Sequence, residues 1–310
     1  MKETELRVPT QDGGSLFVRS FLPETQTRGV VQIVHGMAEH SARYARLAQA
    51  LTQQGFAVYA DDHRGHGQSA TSRTELGHFS DRNGWDNAVG DELTVLEEIG
   101  ARHGSLPVIL LGHSMGSYIA RTLAIRHGER YQGLILSGTS HDAPLTYKVA
   151  GLLAKAERLR LGKREKSPLL RKLSFEAFNA KIQNPRTPAD WLSRDPAEVD
   201  KYNTDPFSGF ECTTQLWVDL FGGLVEICTA SNIARMPKSL PVLIIAGEHD
   251  PLNNRLTGIR KLHRAFESAG IKDLTQRIYA GARHELFNET NRDEVTRDVL
   301  HWLEEHVSRA

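Results

Sequence analysis

Val108-Ile109-Leu110-Leu111-Gly112-His113-Ser114-Met115-Gly116-Ser117-Tyr118-Ile119-Ala120 is the stretch on which the reading of this 310-residue chain turns. Its first four residues form an apolar run of the length expected for a strand buried on both faces. Tyr118 to Leu123 reads as helix, so Gly-x-Ser-x-Gly sits at a sharp strand-to-helix turn that lifts a serine hydroxyl above the sheet edge. Such a turn needs small residues on both sides, and Gly112 and Gly116 supply them. A helix N-terminus beneath the serine favours negative charge developing there. An ordinary turn with Ser114 as an N-cap has the same spacing. The decision therefore rests on what the rest of the chain brings to the same place.

Outward from this stretch, short β-branched runs alternate with helix-period segments. Gly29–Val34, Phe56–Ala60, Leu134–Leu136 and Val242–Ile245 read as strands. Helices are expected from Ser41 to Gln54 and from Trp85 to Arg102, the latter with Val89, Leu93, Val95, Leu96 and Ile99 near one side. Near-continuous apolar strands separated by helices predict an α/β fold, a mostly parallel central sheet with helices on both faces. Alternation at Leu16–Arg19 after the Asp12-Gly13-Gly14 turn predicts an antiparallel hairpin at the sheet edge.

The rhythm breaks between His141 and Met236, where Pro168, Pro185, Pro188, Pro196 and Pro206 separate helical stretches, and resumes afterwards. Residues 1–140 and 237–310 are thus expected to form one core, with residues 141–236 inserted as a helical lid. Lys148 to Lys172 carries nine basic and two acidic residues, with Val149, Leu152, Leu153, Ala156 and Leu159 on a helical stripe. Two readings follow: the stripe packs on the core with its lysines in water, which is the commoner case, or the helix lies on an anionic membrane.

Hydrophobic residues make up 39% of the chain and charged ones 25%, which excludes global disorder. Basic and acidic residues balance at 38 each, so no net field gathers nucleic acid. Two cysteines, Cys212 and Cys228, are too few for a disulfide scaffold or a cysteine zinc module. The opening Met1–Thr10 lacks the apolar core of a signal peptide, and no apolar run is long enough to span a bilayer. A cytoplasmic protein is the expectation, with peripheral membrane contact through the lid as the addition the basic stripe would bring. The sequence sets no oligomeric state.

A serine hydroxyl needs a base and an acid that orients it. On this architecture they follow in the order serine, acid, histidine, at the carboxyl ends of later strands. Asp250 lies just beyond Val242–Ile245, with Glu248 as the alternative acid. His284 lies just beyond Leu274–Tyr279, whereas His263, His301 and His306 fall on helical stretches and His249 shares the acid's loop. Backbone N–H groups should hold the oxyanion: that of Met115, and that of Met37 in the loop His35–His40. Asp61, Asp62, His63 and His66, with His35 and His40, form the one carboxylate–imidazole cluster that a metal reading could use. No H-E-x-x-H or H-x-H pattern accompanies it, and the glycines at 65 and 67 indicate a tight loop shaped by hydrogen bonds. No metal or other cofactor is expected.

Together these motifs resemble the α/β-hydrolase superfamily, and within it the monoacylglycerol lipase and lysophospholipase group, which is also catalogued with serine aminopeptidases. The resemblance rests on His35-Gly36-Met37-Ala38-Glu39-His40-Ser41, Asp62-His63-Arg64-Gly65-His66-Gly67-Gln68-Ser69, Gly112–Gly116 and Gly281-Ala282-Arg283-His284-Glu285. Asp190–Asp195, Tyr202, Asp205-Pro206 and Gly209-Phe210 are similar to the lid of bacterial members. It implies Ser114 as nucleophile, Asp250 as acid, His284 as base and Met37 with Met115 as oxyanion donors. One departure stands out: Ala38 occupies the place of the loop's second glycine, which matters if that residue needs positive φ.

The expected activity is a cofactor-free hydrolysis of carboxylic esters, with single-chain lipid esters of the monoacylglycerol or lysophospholipid type as small-molecule substrates. Alternatives are a general short-chain carboxylesterase, an amidase or aminopeptidase using the same triad, and a non-catalytic small-ligand receptor on this fold. An aminopeptidase would need a lid carboxylate such as Glu157, Glu165 or Glu176 for the substrate's amino terminus. Dehalogenase and epoxide hydrolase chemistry is disfavoured, because those enzymes carry aspartate where this chain has Ser114.

Overall fold

The computed structural model describes residues 1–307. Eight strands form one sheet in the spatial order β1-β2-β4-β3-β5-β6-β7-β8. They are β1 (Lys2–Pro9), β2 (Ser15–Leu22), β3 (Gly29–Val34), β4 (Phe56–Asp62), β5 (Val108–His113), β6 (Gly133–Ser137), β7 (Val242–Gly247) and β8 (Leu274–Tyr279). The antiparallel pairings are β1 with β2, the hairpin expected at the edge, and β2 with β4, while β3 through β8 are mutually parallel. Four helices connect them in the first half: α1 (Ala45–Gln53), α2 (Gly84–His103), α3 (Met115–His127) and, after β6, α4 (Pro144–Leu161).

Register explains why the strands read as unbroken apolar runs. Val58, Val31 and Ile109 pair across β4, β3 and β5, and successive residues then point to opposite faces. Val30, Val34, Leu110, Leu136 and Ile244 meet α2 and α3 on one face. Val31, Ile33, Leu111, Ile135 and Leu243 meet α1 and α11 (Arg292–His306) on the other. Each face must be covered, so neither can alternate with polar residues.

Between β6 and β7 the chain is helical. After α4 come α5 (Pro168–Arg171), a π-helical turn at Lys172–Glu176, α6 (Ala177–Asn179), α7 (Pro196–Thr204), α8 (Thr214–Cys228) and α9 (Ala230–Ile233). The last core helix besides α11 is α10 (Thr257–Ser268). Helix α4 lies on α8, and here one expectation fails. The stripe does not pack on the core: Val149 is 59% exposed, Leu152 66% and Leu159 90%. The buried side is set instead by the small Ala154 and by Glu157, whose carboxylate is held by Arg160 and Ser167. The small residue permits close helix approach, and the larger leucines are left facing outward.

Candidate active site

Ser114 follows directly on β5 with φ 52° and ψ −121°, a conformation that L-residues avoid and that persists only when the surroundings enforce it. Two glycines enforce it. A Cβ on Gly116 would fall on the backbone carbonyls of Val34 and His35, and one on Gly112 would crowd Gly116 and Ser117. The serine makes no side-chain cap to its helix, unlike the N-cap alternative, and the residue is half-buried.

Asp250 leaves the end of β7 and His284 follows β8, so both reach the same sheet edge as Ser114. His284 Nδ1 donates to Asp250 Oδ2 at 2.9 Å, while Asp250 Oδ1 accepts from the Leu252 N–H at 2.9 Å. With Nδ1 carrying the proton, Nε2 keeps its lone pair, and that atom is buried without a hydrogen-bond partner. Burial opposes a charge on His284, but Asp250 outweighs it and raises the imidazole above 6.5. The His284 ring lies 4.9 Å from that of His113, the residue before Ser114. Gly138 fits between these rings; a Cβ there would sit 2.9 Å from each Cε1. The alternative acid, Glu248, turns away to accept from the Gly281 N–H, and His249 is exposed.

The loop after β3 brings Gly36 against Ser114: a Cβ on Gly36 would stand 3.1 Å from the serine Cβ. Gly36 N–H is held by Glu39 Oε1 at 2.6 Å. Ala38 does adopt positive φ, 57°, so alanine occupies a left-handed position where the related loop carries glycine. Met37 lies between these residues, and Met115, the first residue of α3, has no carbonyl one turn back for its N–H. Glu39 and Glu285 flank Arg43, which binds Glu285 through both guanidinium nitrogens. Burial resists the charge on Glu285, but Arg43 brings its carboxyl down to about 2.

The helical insertion is tied to both loops. Glu285 N–H donates to the Leu192 carbonyl at 2.7 Å, and Gly209 N–H to the Ala38 carbonyl at 2.9 Å. Trp191 places its ring 4.8 Å from His284 and joins Phe175, Phe178 and Trp217 in an aromatic cluster. Trp191 falls in the Asp190–Asp195 stretch that resembles a lid, but nothing in the sequence signals that its ring meets His284. The metal-like cluster is split: Asp62 binds Ser41 and Gln68 and His40 pairs with Asp205, while the rings of His35, His63 and His66 stay against one another. Asp61 and His63 stay together and gain Glu92, their ligand atoms within 4.8 Å of one another.

Residues 25–291 match the family described as "Serine aminopeptidase, S33". The chain belongs to this family. As an α/β-hydrolase it is 30% identical to the monoacylglycerol lipase of Mycolicibacterium smegmatis, over 92% of this chain and 91% of that one. It is 32% identical to human monoglyceride lipase, over 96% of this chain and 88% of the relative. Among solved structures, a highly thermostable carboxyl esterase from Bacillus coagulans in complex with glycerol superposes with a TM-score of 0.91 at 30% identity, covering 99% of this chain and 100% of that one. The hydrolase fold and the ester-hydrolase class of this chain are thereby fixed.

Proposed function

We propose that the protein hydrolyses single-chain lipid esters of the monoacylglycerol type through a Ser114 acyl-enzyme. The observation that carries the reading is the His284–Asp250 hydrogen bond, which leaves a buried, unpartnered Nε2 at the edge where the strained serine turn ends. Ser114 Oγ attacks the ester carbonyl and His284 Nε2 takes its proton. Asp250 keeps the ring oriented and balances the imidazolium. The Met37 and Met115 N–H groups receive the oxyanion, and one such donor is worth roughly 100- to 1,000-fold in rate. His284 then protonates the leaving alcohol, and water enters by the same steps to release the acid.

The substrate class follows from relatives named monoacylglycerol and monoglyceride lipases and from the aromatic cluster over His284, which offers apolar surface to an acyl chain. Residues 141–236 act as the lid in this reading. Its outward leucines on α4, flanked by Lys148, Lys155 and Arg158, suit transient contact with an anionic membrane surface. Among the described residues no helix is long and apolar enough to cross a membrane. A peptidase reading is less supported: of the three lid carboxylates it could use, Glu157 and Glu176 are engaged by Arg160 and Arg171, and Glu165 is exposed at the surface.

The test is a hydrolysis panel of monoacylglycerols, lysophosphatidylcholine and p-nitrophenyl esters from short to long chains, with Ser114→Ala as control. Long-chain monoacylglycerol should be preferred and Ser114→Ala should fold but lose turnover. Confinement of activity to short p-nitrophenyl esters would refute the substrate class, and an active Ser114→Ala would refute the mechanism. Leu152→Asp should weaken co-sedimentation with anionic vesicles; indifference to that change would end the membrane reading.

A further inference from the structure

Beneath the loop that carries Met37, the sheet holds polar groups where its neighbours are apolar. Gln32 on β3 and Asp61 on β4 point to the face covered by α2, and Glu92 reaches them from that helix. All three are fully buried. Gln32 Nε2 donates to the Glu92 side chain at 2.8 Å and to its carbonyl at 2.9 Å. His63 Nδ1 lies 3.1 Å from Asp61 Oδ2 and 3.1 Å from Glu92 Oε1. Two buried carboxylates with one imidazolium between them do not both stay ionised. Burial first, and the charge of Asp61 second, push the Glu92 carboxyl up to about 8, so it keeps its proton at neutral pH. Asp61 in turn holds His63 well above 6.5 against its burial. The cluster is then one anion, one cation and one neutral acid.

From His63 the hydrogen bonds run one way. Its Nε2 meets the His35 carbonyl at 2.9 Å and must donate. The His63 backbone N–H donates to His35 Nε2 at 3.0 Å, which leaves the His35 proton on Nδ1. That proton is donated to the Gly36 carbonyl at 2.7 Å. The two rings stack with centroids 3.8 Å apart. Gly36 C=O and Met37 N–H belong to one planar trans peptide, so holding the carbonyl from one side aims the N–H toward the other.

We propose that Glu92 and Asp61 are positioning residues that act through His63 and His35 to aim the Met37 N–H at the oxyanion. The inference rests on the reading of Met37 as an oxyanion donor. It explains why an acid is buried on a helix stripe with no basic side chain of its own helix beside it, and it assigns the cluster a shared proton where a metal ion could otherwise be argued.

The experiment compares Glu92→Ala, Glu92→Gln and Asp61→Asn with the wild type on p-nitrophenyl butyrate, after near-ultraviolet circular dichroism has established folding. A trifluoromethyl ketone, which forms a hemiketal oxyanion on the serine, is titrated in parallel. Glu92→Ala should lose roughly 10- to 100-fold in kcat with KM little changed, and ketone affinity should fall in step. Glu92→Gln keeps a neutral hydrogen-bonding group and should recover most of that loss. Should Glu92→Ala fail to fold, Asp61→Asn carries the same expectation, since it removes the charge that holds His63 protonated. Wild-type kcat in the folded variants, or a loss confined to KM, would overturn the proposal. So would one equivalent of divalent metal found in the wild type by elemental analysis and absent from Glu92→Gln. The underlying reading fails separately, through an active Ser114→Ala or a wild type the ketone does not inhibit.

Discussion

Gly116→Ala is the substitution by which the serine turn can be tested most directly. The added methyl would overlap the carbonyl oxygens of Val34 and His35 and the carbonyl carbon of Val34. These are backbone atoms of β3 and of the loop His35–His40 that follows it, and none can rotate aside. Overpacking of this kind costs about 1–3 kcal/mol, and the rigid neighbours place it at the upper end. Alanine returns up to about 1 kcal/mol as the better helix former. The expected net loss is about 2 kcal/mol, or several degrees in melting temperature for a domain of this size. The helix can relieve the overlap only by moving off β3, which separates Ser114 and Met115 from Met37. A shift of that order should lower kcat by roughly 100-fold. Gly90→Ala on α2 is the matched control, because a methyl there meets nothing within 4 Å; it should gain roughly 0.5–1 kcal/mol. Thermal melts and p-nitrophenyl butyrate kinetics on both variants decide the matter. A Gly116→Ala protein that melts and turns over like the wild type would refute the steric account of the turn.

In the proposed mechanism the base is neutral His284, and Asp250 raises its pKa, so the rising limb of kcat/KM against pH should centre above 6.5. Asp250→Asn should move that limb to lower pH while reducing kcat by roughly 1,000- to 10,000-fold; an unmoved limb would dissociate the two residues. Trp191→Ala removes the ring over His284 and should cost about 3 kcal/mol in stability. Its turnover should fall more for long-chain than for short-chain esters, and an equal loss on both would separate Trp191 from the acyl site. Glu285 titrates at about 2, against 4.5 for an ordinary glutamate. Its ion pair with Arg43 therefore stabilises the fold fully above 4.5 and is lost as pH falls toward 2. Glu285→Gln should be about 3 kcal/mol less stable at neutral pH, and the deficit should shrink on acidification; a pH-independent difference in denaturant melts would argue against the ion pair.

The strands, their mostly parallel sheet and the placement of Ser114, Asp250 and His284 just beyond strand ends were legible because each depends on local signals: an apolar run, a turn of small residues, a polar residue at the strand's exit. Ala38 could be flagged for the same reason, as a non-glycine at a place where glycine is usual, and its φ of 57° shows the position to be left-handed. What stayed hidden depends on partners distant in sequence. Glu92 stands on the buried stripe of α2 with Ala88, Val89, Val95 and Leu96; a lone acid on an apolar stripe is a visible anomaly, but nothing local says that Asp61 and Gln32 wait on the sheet below it. The stripe on α4 misled because periodicity gives a face without saying what covers it, and there the small Ala154 took the inside.

The two backbone bonds from the insertion, Glu285 N–H to Leu192 and Gly209 N–H to Ala38, bear on how such enzymes can be recombined. They pin the middle of the insertion to the two loops that carry His284 and Met37. A chimera that exchanges residues 141–236 for those of a relative would also exchange the acceptor and donor on which those loops rest. Grafts limited to Pro144–Asn179, which stop short of the first of these anchors, leave both bonds in place.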